Sequence, residues 1–112
     1  MAAMQIAEVR GTHLHTQKLI SDHVVAVFSK SYCPYCSRAK QVISGLNLSA
    51  AQVGTVELDQ TNEGADIQAY LQQKTGQRTV PNIFVHGQHL GGCDDLLRAQ
   101  QNGELEKLLG KL

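Results

Sequence analysis

The feature that most constrains this sequence is a pair of cysteines, Cys33 and Cys36, separated by two residues. The preceding segment HVVAVFS (23–29) is short, apolar and rich in β-branched residues, which is typical of a buried central strand. Pro34, between the cysteines, suits the first turn of a helix because a backbone N–H has no intrahelical partner there. The pair is therefore predicted to lie at a strand-to-helix junction.

The apolar pattern predicts the remaining elements. The first predicted helix covers 12–21, with Leu14, Leu19 and Ile20 facing inward, and the second follows Pro34. A third helix is predicted to run from a cap at Thr61 or Asn62 to about Thr75 and to end at Gly76. Two more helices are predicted, one that starts near Cys93 to Asp95 and one over GELEKLLGKL (103–112). Predicted strands cover 23–29, 52–59 and a hairpin within 81–92.

This order, α-β-α-β-α-β-β-α-α, predicts the architecture. A strand–helix–strand unit favours parallel pairing, and the hairpin adds antiparallel strands. We expect an α/β fold with a four-stranded mixed sheet and helices on both faces. The whole chain, 1–112, is predicted to form one domain, with 1–11 poorly ordered.

Composition limits the classes of function. The 112 residues are 42% hydrophobic and carry no net charge, so we expect neither nucleic acid nor an anionic membrane as partner. Three cysteines do not form the even set of a secreted disulfide framework, which favours a reducing compartment. The first 25 residues lack the apolar run of a signal peptide, and no stretch has 18 consecutive apolar residues.

A cysteine where a helix begins is predicted to be a thiolate. Free backbone N–H groups and the helix dipole favour negative charge at Cys33, and Lys30 adds a nearby cation. Lowering a thiol pKa from about 8.5 to about 4.5 requires roughly 5 kcal/mol, whereas a helix terminus supplies about 0.3–2 kcal/mol. The remainder requires hydrogen bonds to the sulfur, for which the N–H groups of Tyr35 and Cys36 are candidates. Cys36, one turn later, is expected to be the buried partner that resolves mixed disulfides.

Two other interpretations of the cysteines fit less well. Both could be small core residues, although the proline at the junction favours a redox pair. A zinc site requires four ligands, and a second CxxC is missing. His86 and His89 lie about 50 residues from Cys36, outside zinc-finger spacing, and are expected to be solvated.

The motifs CPYC (33–36), TVP (79–81) and GGCDD (91–95) together resemble the dithiol glutaredoxins over residues 12–110. The resemblance implies a thioredoxin-like fold with about five helices and a glutathione-dependent thiol–disulfide oxidoreductase. Such an enzyme reduces protein–glutathione mixed disulfides and protein disulfides, with glutathione as co-substrate and no metal. It also implies a monomer, expected in the cytoplasm, or in an organelle if a transit peptide has been removed.

The resemblance also implies a glutathione site. Val80–Pro81 corresponds to the family's cis-proline turn, where the backbone of Val80 pairs with glutathione. The catalytic residues implied are Cys33 and Cys36, and the glutathione-binding positions are Lys30, Tyr35, Gln68, Arg78, Thr79, Val80, Pro81, Gly92, Cys93, Asp94 and Asp95. Lys30, Gln68 and Arg78 would hold the glycyl carboxylate. The start of the helix after Gly92, with Asp94 or Asp95, would hold the γ-glutamyl end, unless either aspartate only caps the helix. Cys93 is interpreted as structural or regulatory.

Two alternatives from other classes stay open. Some glutaredoxins hold a [2Fe–2S] cluster between two protomers, although the CPYC form with Pro34 disfavours this. A thioredoxin-like protein disulfide reductase, fed by a dedicated reductase, would use the same cysteines with a different electron donor.

Overall fold

The computed structural model describes residues 2–110, and side chains from residue 10 onward. Within this range the helices are α1 (Ala2–Asp22), α2 (Pro34–Ser44), α3 (Gly64–Thr75), α4 (Cys93–Gln101) and α5 (Glu104–Leu108), and the strands are β1 (Val25–Ser29), β2 (Val53–Glu57), β3 (Asn82–Val85) and β4 (Gln88–Gly91). Short 3₁₀ turns at Ala50–Gln52 and Leu58–Gln60 flank β2. The order confirms the predicted succession of elements; the last two residues of the predicted final helix lie outside the described range.

The strands form one mixed sheet in the order β2-β1-β3-β4. The β1–β2 pair is parallel, and the β1–β3 and β3–β4 pairs are antiparallel. Ser29, the last residue of β1, is in register with Glu57, the last residue of β2. The predicted four-stranded mixed sheet is confirmed, and its β1–β2 register brings two polar residues together beneath the cysteine junction.

Alternate side chains of the central strands enter two cores, one on each face of the sheet. Val25 and Val27 pack with Ala39 of α2, Leu96 of α4 and Leu105 of α5, among others. On the other face the core contains Ile20 of α1, Ala26, Phe28, Leu58, Ile67, Leu71 and Phe84. Because strand side chains alternate between faces, the fully buried and mostly apolar β1 requires helices on both sides, as predicted.

The first helix differs from its prediction in length and in its buried face. It begins at Ala2 rather than near residue 12, and Leu14 is 66% exposed. Ile20 is buried as predicted, and Leu19 packs partly buried against the same core. Thr12 and Thr16 are buried in place of Leu14, because Thr12, Thr16 and Ile20 are four residues apart and share one helix face. The Thr16 hydroxyl donates to the carbonyl of Thr12 at 2.8 Å, so a polar residue is accommodated in this interface.

The third helix ends as predicted and starts slightly later. Gly76 caps its C-terminus in the left-handed region, at φ 83°. The helix starts after Glu63, so the prediction that Thr61 or Asn62 caps it was wrong. The Thr61 hydroxyl accepts a hydrogen bond from the N–H of Glu63 at 3.3 Å, within a turn that precedes the helix. The cap at Gly76 leads the chain directly into the 77–81 loop beside the cysteines.

Candidate active site

Cys33 is the residue immediately before α2, and Pro34 is the first residue of that helix. The backbone of Cys33 is extended, with φ −88° and ψ 120°, and its N–H donates to the carbonyl of Lys30 at 3.0 Å. The N–H of Cys36 donates to Cys33 Sγ at 3.4 Å. The sulfur therefore takes the place that a serine or aspartate oxygen usually takes at a helix N-terminus.

The surroundings of Cys33 favour its thiolate. Burial is the largest influence and by itself would raise the pKa, but the net pKa of Cys33 is lowered. Hydrogen bonds from the side chain and backbone of Cys36 and from the backbone of Tyr35 favour the charged sulfur, as does the positive charge of Lys40. Both N–H donors expected from the sequence thus act on the thiolate.

The cation that favours the Cys33 thiolate is Lys40, whereas the sequence suggested Lys30. Lys40, seven residues after Cys33, lowers the pKa of that thiol, whereas the charge of Lys30 helps to lower the pKa of Asp59. Seven residues are close to two helical turns, so Lys40 lies on the same side of α2 as the sulfur. This spacing is the signal that could have identified Lys40 from the sequence.

Cys36 has the opposite environment. It is fully buried, whereas Cys33 is half-buried. Burial raises the pKa of the Cys36 thiol, and the nearby Cys33 raises it further, although hydrogen bonds from the Lys30 backbone and the Ser29 side chain act in the other direction. The two thiols therefore differ in the expected direction: the half-buried Cys33 has a lowered pKa and can reach an external disulfide, whereas the buried Cys36 has a raised pKa.

The loop before Cys33 is pinned by Asp59. One carboxylate oxygen accepts the N–H of Ser31 at 2.9 Å, and the other accepts the Ser31 hydroxyl. These two hydrogen bonds lower the pKa of Asp59, which stays ionised. Asp59 was not recognised from the sequence, because its contact with Ser31 depends on the position of the turn after β2.

A groove of about 330 Å³ opens beside the cysteines. It is lined by Tyr35, Gln77, Thr79, Val80, Pro81, Gly92, Cys93, Asp94 and Asp95. Eight of these positions are among the eleven predicted to bind glutathione. Segments far apart in the sequence thus meet at one site, although placement in the groove does not by itself test their role.

The Val80–Pro81 peptide bond is cis, as the resemblance implied. Pro81 is buried and precedes β3, and Val80 is half-buried on the groove wall. In the described part of the chain, neither the N–H nor the C=O of Val80 makes a hydrogen bond. Val80 therefore presents one donor and one acceptor to whatever enters the groove.

The N-terminus of α4 forms the opposite wall. Asp95 Oδ2 accepts the N–H of Gly92 at 2.9 Å, so this aspartate caps the helix, and its other oxygen lies 3.4 Å from Arg98. Gly91 has φ 128°, and a Cβ there would lie 2.2 Å from the Asp95 carboxylate, so only glycine fits. Asp94 is exposed and makes no hydrogen bond or ion pair within residues 10–110. Of the two aspartates, Asp94 has the carboxylate available to a ligand.

Three predicted binding residues lie outside the groove lining: Lys30, Gln68 and Arg78. The side-chain amide of Gln68 donates to the carbonyl of Arg78 at 2.7 Å, and the Arg78 guanidinium donates to Gln72 at 3.1 Å. Gln68 and Arg78 thus lie together on the α3 side of the site, and Lys30 lies on the loop before Cys33. Their role in binding stays a prediction.

Gln77 is a groove residue that the sequence analysis missed. Its amide nitrogen donates to the carbonyls of Thr79 at 3.0 Å and Pro81 at 2.9 Å. Its own carbonyl accepts from Asn82 at 3.4 Å. Gln77 therefore holds the turn that presents Val80, a role that no local sequence pattern signals.

Cys93 is buried at the start of α4 and lies near Cys33. Burial is the main cause that raises the pKa of its thiol, and the charges of Asp94 and Cys33 raise it further, against a lowering effect of Arg38. A thiol in this state is a poor nucleophile. This agrees with a structural or regulatory interpretation of Cys93, which stays a prediction.

A zinc site, the metal interpretation of the cysteines, would require several metal-ligating side chains close together. Among the side chains that the structure describes, no group of three or more histidine, cysteine or acidic residues is placed to hold a metal ion. His86 and His89 are exposed, yet both are hydrogen-bonded, to the carbonyl of Leu109 at 3.1 Å and to Asn82 at 2.8 Å. In residues 2–110 no helix is long and apolar enough to cross a membrane.

At the start of α2, Cys33 with its lowered pKa lies one helical turn from the buried Cys36, beside a groove in which the backbone N–H and C=O of Val80 are unpaired within residues 2–110. An accessible thiolate can attack an external disulfide, and a protected second thiol one turn away can resolve the mixed disulfide that forms. The fold and the site thus define a thiol–disulfide oxidoreductase of the thioredoxin-like class.

Comparison with known proteins identifies the family. The glutaredoxin family model matches residues 25–90. Glutaredoxin-1 of Rhizophagus irregularis is 53% identical over 96 residues, which cover 86% of this chain and 92% of that protein. Glutaredoxin-1 of Saccharomyces cerevisiae is 46% identical over 96 residues, covering 85% and 87%. The crystal structure of a buckwheat glutaredoxin–glutathione complex matches with a TM-score of 0.85 and 41% identity, covering 93% of this chain and 92% of that one. The chain belongs to the glutaredoxin family.

Proposed function

We propose that this glutaredoxin uses glutathione to reduce protein–glutathione mixed disulfides and protein disulfides. The observation that carries the proposal is the lowered pKa of Cys33 next to a groove with the unpaired backbone of Val80 on one wall and the N-terminus of α4 on another. A related buckwheat protein has been crystallised as a glutathione complex, which supports glutathione as the ligand here.

The groove offers a complementary group for each part of glutathione. The cysteinyl backbone of the tripeptide would pair with the N–H and C=O of Val80. The γ-glutamyl carboxylate would accept from the N–H groups at the start of α4, and its ammonium would pair with the unengaged carboxylate of Asp94. Asp95 is less suited to this ammonium because its carboxylate already caps the helix. The glycyl carboxylate would extend towards Lys30, Gln68 and Arg78.

The reaction with a glutathionylated protein needs only Cys33. Its thiolate attacks the glutathione sulfur, the protein thiolate leaves, and Cys33 carries the glutathione. A second glutathione thiolate then attacks the sulfur of the bound glutathione, and oxidised glutathione leaves as the Cys33 thiolate is restored. The low pKa of Cys33 makes it both a charged nucleophile at neutral pH and a good leaving group.

Reduction of a protein disulfide requires both cysteines. Cys33 attacks one sulfur of the substrate and forms a mixed disulfide with it. Cys36 then attacks Cys33, the substrate leaves as a dithiol, and a Cys33–Cys36 disulfide remains for glutathione to reduce. Burial of Cys36 keeps it from competing for external disulfides, and its place one turn from Cys33 allows the intramolecular attack.

Two single-cysteine variants and two substrates test this proposal. We expect Cys33→Ser to lose reduction of both a glutathionylated peptide and a protein disulfide. We expect Cys36→Ser to keep the first activity and lose the second. Ser44→Ala, on an exposed residue of α2 that does not line the groove, is the control and is expected to keep both. Substantial deglutathionylation by Cys33→Ser would refute the assigned nucleophile.

The two alternative functions, a thioredoxin-like reductase and a [2Fe–2S]-binding dimer, predict different results for the same purified protein. A thioredoxin-like reductase would turn over with a dedicated NADPH-dependent reductase and fail with glutathione. A cluster-binding dimer would be brown when purified anaerobically. We expect turnover with glutathione and a colourless protein.

We further propose that the enzyme is a monomer and works in a reducing compartment such as the cytoplasm. In the described residues all three cysteines are free, and the large exposed apolar side chains are Leu14, Tyr32 and Tyr35, two of which flank Cys33. Sedimentation of the reduced protein tests the first statement, and subcellular fractionation tests the second. A stable dimer or a purely organellar location would contradict them.

A further inference from the structure

Gln77 is the groove end of a network of hydrogen-bonded side chains. Its amide nitrogen donates to the carbonyls of Thr79 at 3.0 Å and Pro81 at 2.9 Å. These carbonyls belong to the residues on either side of Val80, and the two contacts use both amide protons of Gln77. One side chain therefore holds the loop before and after the residue whose backbone faces the groove.

Asn82, the first residue of β3, supports Gln77 from inside the fold. Asn82 is 1% exposed, and a buried amide requires partners for both of its polar ends. Its Nδ2 donates to the backbone carbonyl of Gln77 at 3.4 Å, and its Oδ1 accepts from Nε2 of His89 at 2.8 Å. Because a backbone carbonyl can only accept, the nitrogen end of the amide faces Gln77 and the oxygen end faces His89. The donating proton of His89 is therefore on Nε2.

The register of the β3–β4 hairpin brings His89 to Asn82. His89 lies opposite Phe84, and the two rings are 5.2 Å apart. Phe84 and Asn82 are two residues apart in one strand, so the three side chains share one face of the sheet. His89 itself is exposed and lies outside the groove lining. An effect of His89 on a ligand in the groove is thus transmitted through Asn82 and Gln77.

We propose that Asn82 and His89 are positioning residues for glutathione, because they hold Gln77, which fixes the backbone of Val80 for pairing with the tripeptide. The inference deepens the proposed function and rests on it. Strand pairing requires a donor and an acceptor that point in fixed directions, and a loop held in advance loses less entropy when it binds. No covalent step passes through the network, which acts on binding alone.

A network that acts through Val80 favours only those disulfides that carry glutathione. Bis(2-hydroxyethyl) disulfide has no peptide backbone, so Cys33 attacks it without strand pairing at Val80. The reactivity of Cys33 depends instead on the donors at the start of α2 and on Lys40. The network therefore contributes to the preference for glutathionylated substrates and leaves the intrinsic reactivity of the thiolate unchanged.

The test compares two second-order rate constants for attack by Cys33, measured by acid quench and mass spectrometry in a Cys36→Ser background. One substrate is a glutathionylated peptide and the other is bis(2-hydroxyethyl) disulfide. His89→Phe keeps a ring beside Phe84 but lacks the donor, and we expect the ratio of the first rate constant to the second to fall about 3- to 10-fold. His89→Gln keeps an N–H donor and is expected to stay within about twofold of the original ratio. His15→Phe, the same change at an exposed histidine of α1, is the control expected to keep the ratio.

A second comparison tests the order of the network. In an Asn82→Leu background, where the acceptor of His89 is gone, His89→Phe is expected to cause no further loss. An unchanged ratio in His89→Phe, an equal loss with both substrates, or an equal loss in His89→Gln would overturn the proposal. If Asn82→Leu does not fold, the variants of the exposed His89 alone decide. Absence of any preference for the glutathionylated peptide before these changes would instead overturn the proposed function.

Discussion

Replacement of Cys36 by alanine or by serine should affect the pKa of Cys33 differently. The Cys36 side chain donates to the Cys33 sulfur and favours its thiolate. A hydrogen bond to a charged group contributes about 1.5–3 kcal/mol, and a thiol is a weak donor, so we take about 1–1.5 kcal/mol for this one. At 1.36 kcal/mol per unit, Cys36→Ala should raise the pKa of Cys33 by roughly one unit. Cys36→Ser keeps a donor and should hold the pKa within roughly 0.3 unit of the wild type.

The measurement is a titration of Cys33 in a Cys93→Ser background, so that one thiol reports. Ultraviolet thiolate absorbance and the pH dependence of iodoacetamide alkylation are independent readouts. The backbone donor from Cys36, at 3.4 Å, is present in both variants, so it cancels in the comparison. Indistinguishable titrations of the two variants would refute the claim that the side chain of Cys36 stabilises the thiolate.

Three further predictions follow from the geometry. Because the folded-state pKa of Cys33 is lowered, its contribution to stability is complete above the ordinary thiol pKa and is lost as pH falls through the folded pKa. The Tm advantage of reduced wild type over Cys33→Ser should therefore grow with rising pH across that window; a flat difference would contradict it. Gly91→Ala should lose about 1–3 kcal/mol of unfolding free energy in chemical denaturation, because its Cβ would meet Asp95; wild-type stability would exclude this strain. Asp59→Asn should loosen the loop at Ser31 and raise KM for a glutathionylated peptide more than kcat changes; an unchanged KM would remove Asp59 from the account.

Local sequence signals predicted the secondary-structure elements that position the site. The apolar run before Cys33 and the proline after it placed the thiol at a strand-to-helix junction, which the structure confirms. Gly76 was predicted from its position alone because a left-handed helix end favours glycine. Each of these features depends on residues within a few positions of one another.

Features that depend on tertiary geometry were missed. The contact between Ser29 and Glu57 spans 28 residues and exists only in one register of the β1–β2 pair. The hydrogen bonds of Gln77 depend on the path of the 77–81 loop. The buried threonines of α1 were passed over in favour of Leu14 because hydropathy alone does not show which helix face packs.

The most direct test of the account is to trap the first covalent intermediate. Cys36→Ser would be mixed with a glutathionylated peptide, quenched with acid and mapped by mass spectrometry. The account predicts one glutathione on Cys33 for each peptide thiol released. Glutathione found on Cys93, or peptide released without any adduct at Cys33, would contradict it.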